Sequence, residues 1–263
     1  MRKTHYKPHK IKPKKSIFKK HSFWFMFLSL SLITAGIYFL IFFKPLQINK
    51  IIISGNEKVQ IKEIETLIAG NIKQRLWFAT SQNILLVSTA RINKSITERY
   101  PVIDSLKVQK KLPNTLVINI EERKPFAVFY YNEEYFLIDE KGVVFEKTSA
   151  NVGGFFIVRQ TGEIKEVILG TEIVKKEVME KIAKIKRGLE ERSQIDIKEV
   201  DIASGERLNV KTSEGWDAYF NLTTDIDLQI EKLNLLLENE LPKENRAGLQ
   251  YIDLRFKDRV YYK

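Results

Sequence analysis

The eighteen residues KKLPNTLVINIEERKPFA, Lys110 to Ala127, decide how the rest of the chain is read. Leu116, Ile118 and Ile120 alternate with Val117, Asn119 and Glu121, the period-2 pattern of a strand with one buried face. Lys111-Leu112-Pro113-Asn114 is a turn, so Ile103–Lys110 and Thr115–Glu122 are expected to be consecutive strands. From Lys124 onward the texture changes to closely spaced strands, which places a domain boundary between residues 123 and 124.

Upstream of that boundary, Leu46 to Ser54 is a β-branched run stopped by the turn pair Gly55-Asn56. A helix follows, with Val59, Ile61, Ile64, Leu67 and Ile68 at mostly three- and four-residue spacing. Gly70-Asn71 is its expected stop, and Gln60 is a weak cap where Ser or Thr would be stronger. A second helix is expected over Asn83–Arg99 on Ile84, Leu85, Val87, Ile92 and Ile96, ending before Tyr100-Pro101. The order strand, helix, helix, strand, strand predicts an α+β domain over residues 46–123, with two helices on one face of a three-stranded sheet.

Downstream, Phe126–Tyr131, Tyr135–Ile138, Val143–Lys147 and Phe155–Arg159 read as strands, with a turn at Asp139-Glu140-Lys141-Gly142. A charged helix is expected over Ile173–Glu191, with Val174, Val178, Ile182, Ile185 and Leu189 on its apolar face. Strands resume at Ile197–Ile202, Leu208–Thr212 and Trp216–Leu222. A helix over Asp225–Leu237 follows, capped by Thr223 or Thr224. The closing hairpin is expected to pair Tyr251–Phe256 with Arg259–Tyr262 around Lys257-Asp258. Residues 124–263 thus form a β-rich domain with accessory helices.

At the other end, Phe23 to Phe43 are twenty-one positions without a charge. As a helix they span about 31 Å, matching a hydrocarbon core of about 30 Å. The run is too long for a signal peptide and lacks a small-x-small cleavage site, so it reads as an uncleaved span. Nine Lys/Arg and no Asp or Glu precede it in residues 1–22, while Lys44 and Lys50 alone lie close behind. The basic tail is therefore expected in the cytoplasm and the body outside it. The formal charge of +11 resides in that tail: from position 23 onward 35 basic residues face 33 acidic ones. A near-neutral body argues against a specific nucleic-acid surface, and the tail is expected to meet anionic lipid headgroups.

The residue inventory restricts catalysis. There is no cysteine, and His5, His9 and His21 all lie in the tail or at the edge of the span. Histidine triads, thiol nucleophiles and most zinc sites are thereby excluded from the body. Carboxylate pairs such as Asp225 with Asp227, or Glu133 with Glu134, leave a glycan hydrolase as a remote alternative. No catalytic residue, cofactor or metal is expected.

The arrangement resembles the FtsQ/DivIB family of bacterial cell-division proteins, whose outer part is a POTRA domain followed by a β-rich domain. The resemblance rests on Ile51-Ile52-Ile53-Ser54-Gly55-Asn56, Tyr100-Pro101-Val102-Ile103, the Lys110–Ala127 segment, Phe136-Leu137-Ile138-Asp139-Glu140-Lys141-Gly142-Val143-Val144 and Tyr251-Ile252-Asp253-Leu254-Arg255-Phe256. Gln60 departs from the capping Ser or Thr frequent in the family, and the chain stops at Lys263 without a further contact segment. The resemblance implies a non-enzymatic, single-pass scaffold at the septum that joins FtsB/DivIC-like and FtsL-like partners to septal peptidoglycan synthesis. A POTRA-containing assembly or transport adaptor is the alternative.

The resemblance also implies that the end of the β domain binds the FtsB/DivIC-like partner by strand addition, with Arg255, Phe256, Val260 and Tyr262 as the contact residues. Strand addition has a physical reading of its own, since a terminal hairpin leaves an open sheet edge. A second reading stays open, in which Ile252, Leu254 and Phe256 alternate inward as core and Arg255 is a solvated charge.

Overall fold

A computed structural model describes residues 21–75, 80–149, 152–162, 164 and 166–263. The basic tail of residues 1–20, with its expected lipid contacts, lies outside the described residues. The apolar run forms helix α1 (His21–Phe42), starting two residues earlier and ending one residue earlier than the uncharged stretch. It carries no buried residue, as suits a helix that spans a bilayer by length and composition.

The first module is the expected three-stranded sheet. Strand β1 (Lys50–Ser54) pairs in parallel with β5 (Thr115–Glu122), which pairs antiparallel with β4 (Ile103–Lys111). Helices α2 (Ile61–Ile72) and α3 (Thr89–Arg99) cover one face. Ile64, Ile68, Ile72, Ile92 and Ile96 meet Leu116, Ile118 and Ile120 there, all buried. Gly55 makes the turn after β1 at φ +83°, and a Cβ on it would lie 2.1 Å from the carbonyl oxygen of Ile120. Only glycine fits that approach.

Several expected boundaries shift for local reasons. Gly70-Asn71 does not stop α2, because Asn71 bonds back to the Leu67 carbonyl (2.9 Å) and across to Ser95 Oγ (3.1 Å). Ile61, assigned to the apolar face, is exposed. Gln60 is the N-cap and its side chain makes no capping bond. Instead the Glu122 carboxylate accepts from the N–H groups of Glu57, Lys58 and Val59 at 2.8–3.1 Å. The second helix begins at Thr89 rather than Asn83: Asn83 Oδ1 captures the Leu85 N–H (2.9 Å), and Ser88 Oγ caps the helix through Arg91 N (3.3 Å). A short hairpin of β2 (Gln74–Arg75) and β3 (Thr80–Ser81) lies between the helices, too brief to leave a periodic signal.

The second module is a ten-stranded sheet. Its strands are β6 (Ala127–Tyr131), β7 (Glu134–Ile138), β8 (Val143–Thr148), β9 (Ile157–Gln160), β10 (Thr171–Glu172), β11 (Ile197–Ile202), β12 (Arg207–Thr212), β13 (Asp217–Asn221), β14 (Tyr251–Asp253) and β15 (Tyr261–Tyr262). Their spatial order is β10-β8-β7-β6-β9-β11-β12-β13-β14-β15. Helices α4 (Lys176–Ser193) and α5 (Ile226–Asn239) contribute Met179, Ile182, Ile185, Leu189, Leu233 and Leu237 to a core shared with Phe129, Val158, Val200, Val210, Trp216 and Phe220. Helix α4 starts later than expected, so Val174 is buried ahead of it and Met179 takes the central place. Asp225, not Thr223 or Thr224, caps α5, accepting from Asp227 N at 2.9 Å.

The Glu121-Glu122-Arg123 run joins the two modules. Arg123 Nη1 bridges Asp104 on β4 (3.0 Å) and Asp139 in the β7–β8 turn (2.5 Å), and Nε donates to the Pro101 carbonyl (3.1 Å). Lys141 adds a 2.6 Å pair to Asp104. Beside this charged knot Val102 packs against Val128, Leu137 and Phe145.

Candidate partner-binding edge

Strand β15 ends the large sheet and has one neighbour, β14. Lys263 and Tyr251 exchange both backbone bonds, Lys263 N to Tyr251 O at 3.1 Å and Tyr251 N to Lys263 O at 3.3 Å. Antiparallel pairs alternate between bonded and non-bonded positions, so Tyr262, paired with Ile252, turns its own N–H and C=O toward the open side. Among the described residues the open side of β15 thus presents the N–H and C=O of Tyr262, a point at which an extended segment can pair.

The closing hairpin is wider than expected. Strand β14 stops at Asp253, and residues 254–260 form a loop where a two-residue turn was anticipated. The cause is the Asp253 carboxylate. It accepts from Arg255 N (3.2 Å), Nε (2.8 Å) and Nη2 (2.6 Å), which folds the chain back before the strand can continue. Burial raises the Asp253 pKa, but the hydrogen bonds and charge of Arg255, aided by Arg207, outweigh it and hold the carboxyl below its ordinary range. The same bonds to Asp253 raise the Arg255 pKa.

Next to this pair lies an aromatic and cationic array on the face away from α4 and α5. The Tyr219 and Tyr251 rings stack with centroids 5.6 Å apart. The Arg207 guanidinium lies 4.9 Å and that of Arg255 5.7 Å from the Tyr219 ring centre. Burial, then the neighbouring Asp217 charge, pushes the Tyr219 hydroxyl up. Phe256 and Tyr261 meet edge to face at 5.1 Å, and Lys232 donates to the Lys257 carbonyl from α5.

The four residues named from sequence therefore have different surroundings. Arg255 is half-buried and locked to Asp253, so it is neither a free contact nor a solvated charge. Phe256 sits in the loop rather than in a strand and is 48% exposed, while Ile252 and Leu254 are core. The inward alternation of all three apolar residues thus fails at Phe256. Val260 packs against the main core at the entry to β15, and Tyr262 is exposed on the edge itself. Tyr261 joins Phe256 on the exposed surface. Tyr219, Tyr251, Arg207 and Asp253 were not singled out, since their convergence depends on a register spanning residues 207–253.

The carboxylate pairs have structural employment. Asp225 caps α5, Asp227 pairs with Lys184 (2.6 Å) and Glu134 with Lys147 (2.5 Å), while Glu133 lies in the β6–β7 turn at φ +64°.

Among the described residues, one apolar helix of spanning length, a β-α-α-β-β module and a ten-stranded sheet domain fit a single-pass membrane protein of the POTRA-plus-β-domain class. Two family models match most of the chain: "POTRA domain, FtsQ-type" over residues 46–123, and "Cell division protein FtsQ/DivIB, C-terminal" over residues 127–255. The chain belongs to the FtsQ/DivIB family of cell-division proteins. It is 34% identical over 106 residues to the cell division protein DivIB of Clostridium acetobutylicum, covering 39% of this chain and 41% of that relative. With DivIB of Clostridium botulinum (strain Hall) the identity is 28% over 266 residues, covering 96% and 94%. With the cell division protein FtsQ of Neisseria gonorrhoeae it is 26% over 162 residues, covering 61% and 59%.

Proposed function

We propose that this chain is a non-enzymatic divisome scaffold that captures an FtsB/DivIC-like partner by strand addition at β15. Through that partner and an FtsL-like protein it links the division complex to septal peptidoglycan synthesis. The N-terminal tail is cytoplasmic and the two folded modules extracytoplasmic, an orientation supported by the basic residues ahead of α1. The observation that supports strand addition is the open edge of Tyr262 beside the exposed rings of Phe256, Tyr261 and Tyr262. Main-chain groups supply register and affinity, and the rings supply contact area at low rotamer cost. Arg255 acts indirectly, because its bonds to Asp253 hold the loop that presents Phe256.

The absence of native cysteine makes a crosslinking test direct. Tyr262→Cys in the full chain is paired with single cysteines scanned along the partner's extracytoplasmic segment. Strand addition predicts disulfides at one partner position and, more weakly, at the positions two residues to either side, with the residues between them spared. Crosslinks at every third or fourth position would indicate a helix, and none at all would place the contact elsewhere.

A further inference from the structure

The carbonyls that end α1 are held by the POTRA module. Nδ2 of the buried Asn83 donates to the carbonyls of Leu40 (2.8 Å) and Ile41 (3.0 Å). Ile41 O also accepts from Gln47 Nε2 (2.8 Å) and Ser81 Oγ (3.1 Å). The last turn of a helix lacks internal partners for its carbonyls, so these three side chains fasten the module to the end of the span. One face of the module is thereby turned toward the bilayer.

That face is apolar at its tips and basic around them. The segment after Asn83 exposes Leu85 (55%) and Leu86, and the β4–β5 turn exposes Leu112 (63%). The two are tied together, since Lys110 Nζ donates to the Leu85 carbonyl at 3.2 Å. The turn is also tied to the segment that leads from α1 into β1, through Asn49 N donating to Asn114 O at 3.2 Å. Lys44, Lys50, Lys110 and Lys111 are exposed, and residues 44–56, 80–97 and 105–120 contain no Asp or Glu.

Depth identifies the occupant. Leu85 lies two residues beyond the side chain that caps α1, a reach of about 7 Å. The headgroup layer beyond the hydrocarbon is about 5–8 Å thick on each side. We propose that this face lies on the leaflet from which α1 emerges, with Leu85, Leu86 and Leu112 at the boundary of the acyl chains. The four lysines contact anionic lipid phosphates. The surface is continuous with the spanning helix and acts apart from the β15 edge.

The test uses the full chain in vesicles, with single cysteines at Leu85→Cys, Leu112→Cys or, as a distant control, Lys198→Cys, each carrying an environment-sensitive fluorophore. In phosphatidylglycerol-containing vesicles, headgroup-nitroxide lipids quench the probes at 85 and 112 and spare the one at 198. Each basic residue near an anionic leaflet contributes about fivefold to binding, so Lys110→Gln with Lys111→Gln lowers the docking constant about 30-fold, read as lost quenching at 112. Neutral phosphatidylcholine vesicles, which remove the charge partner of all four lysines, lower the constant further for the wild type. Probes at 85 and 112 as unquenched as the control in anionic vesicles would overturn the proposal.

Discussion

Asp253→Ala isolates the feature that shapes the partner edge. The Asp253 side chain is 9% exposed and that of Arg255 32%, and removing the carboxylate leaves a guanidinium without its two bonds. A fully buried pair broken this way costs about 3–5 kcal/mol, while an exposed pair is worth under about 1 kcal/mol. The intermediate exposure of Arg255 places the loss near 2 kcal/mol, in line with hydrogen bonds to charged groups. For a domain of this size that corresponds to a fall in Tm of about 4–8 °C. The assay is thermal unfolding of the full chain in detergent, followed by Trp216 fluorescence with Trp24 and Trp77 replaced by Phe. Trp216 is fully buried in the sheet domain. Because the folded pKa of Asp253 lies below its unfolded value of about 3.9, the stabilisation is complete above that value and is lost as pH falls through the folded one. The gap between wild type and variant therefore closes below about pH 4. A gap under about 1 °C at pH 7, or one that persists unchanged into acid, would refute the assigned role of the pair.

Phe256→Ala should leave Tm within about 1–2 °C, as for exposed positions, while weakening partner binding about 30-fold in a titration. Gly142→Ala should destabilise by at least about 2 kcal/mol in the same melt, because φ is +81° and the new Cβ would stand 1.8 Å from the Val174 carbonyl oxygen. Arg123→Ala leaves Asp104 and Asp139 without their shared cation and should cost about 2–4 kcal/mol, with faster limited proteolysis around residues 123–126. Unchanged proteolysis there would mean that the Val102 contacts hold the modules together without the charges.

The parts legible in the sequence are those where pattern and burial share one cause. Ile197–Ile202 was expected and formed without change, because each inward residue is apolar and each outward one tolerates water. The Asp139–Gly142 turn also formed as expected, with Asp139 Oδ1 accepting from Lys141 and Val143 N–H at 2.9 Å each. Boundaries were lost where a side chain competes with backbone periodicity. Asn83 keeps Ile84, Leu85 and Val87 out of α3, and Asp253 ends β14 three residues early. The candidate edge was legible as the final strand and its Tyr262. Its supporting surface was not, since Arg207, Tyr219 and Tyr251 meet only through the β12–β13–β14 register. The Glu122 and Arg123 roles were likewise hidden: the segment was distinctive, but its partners lie up to 65 residues away.

The central claim is that an extended partner segment bonds to the outward backbone of β15. Tyr262→Pro addresses it most directly, because proline removes an N–H that faces the open side and neither of the backbone bonds between Lys263 and Tyr251. The measurement is the affinity of the full chain, held in a lipid nanodisc, for the extracytoplasmic segment of the FtsB/DivIC-like partner. The account predicts loss of binding by Tyr262→Pro with a Tm close to that of the wild type. Undiminished binding by the folded variant would contradict strand addition at this edge.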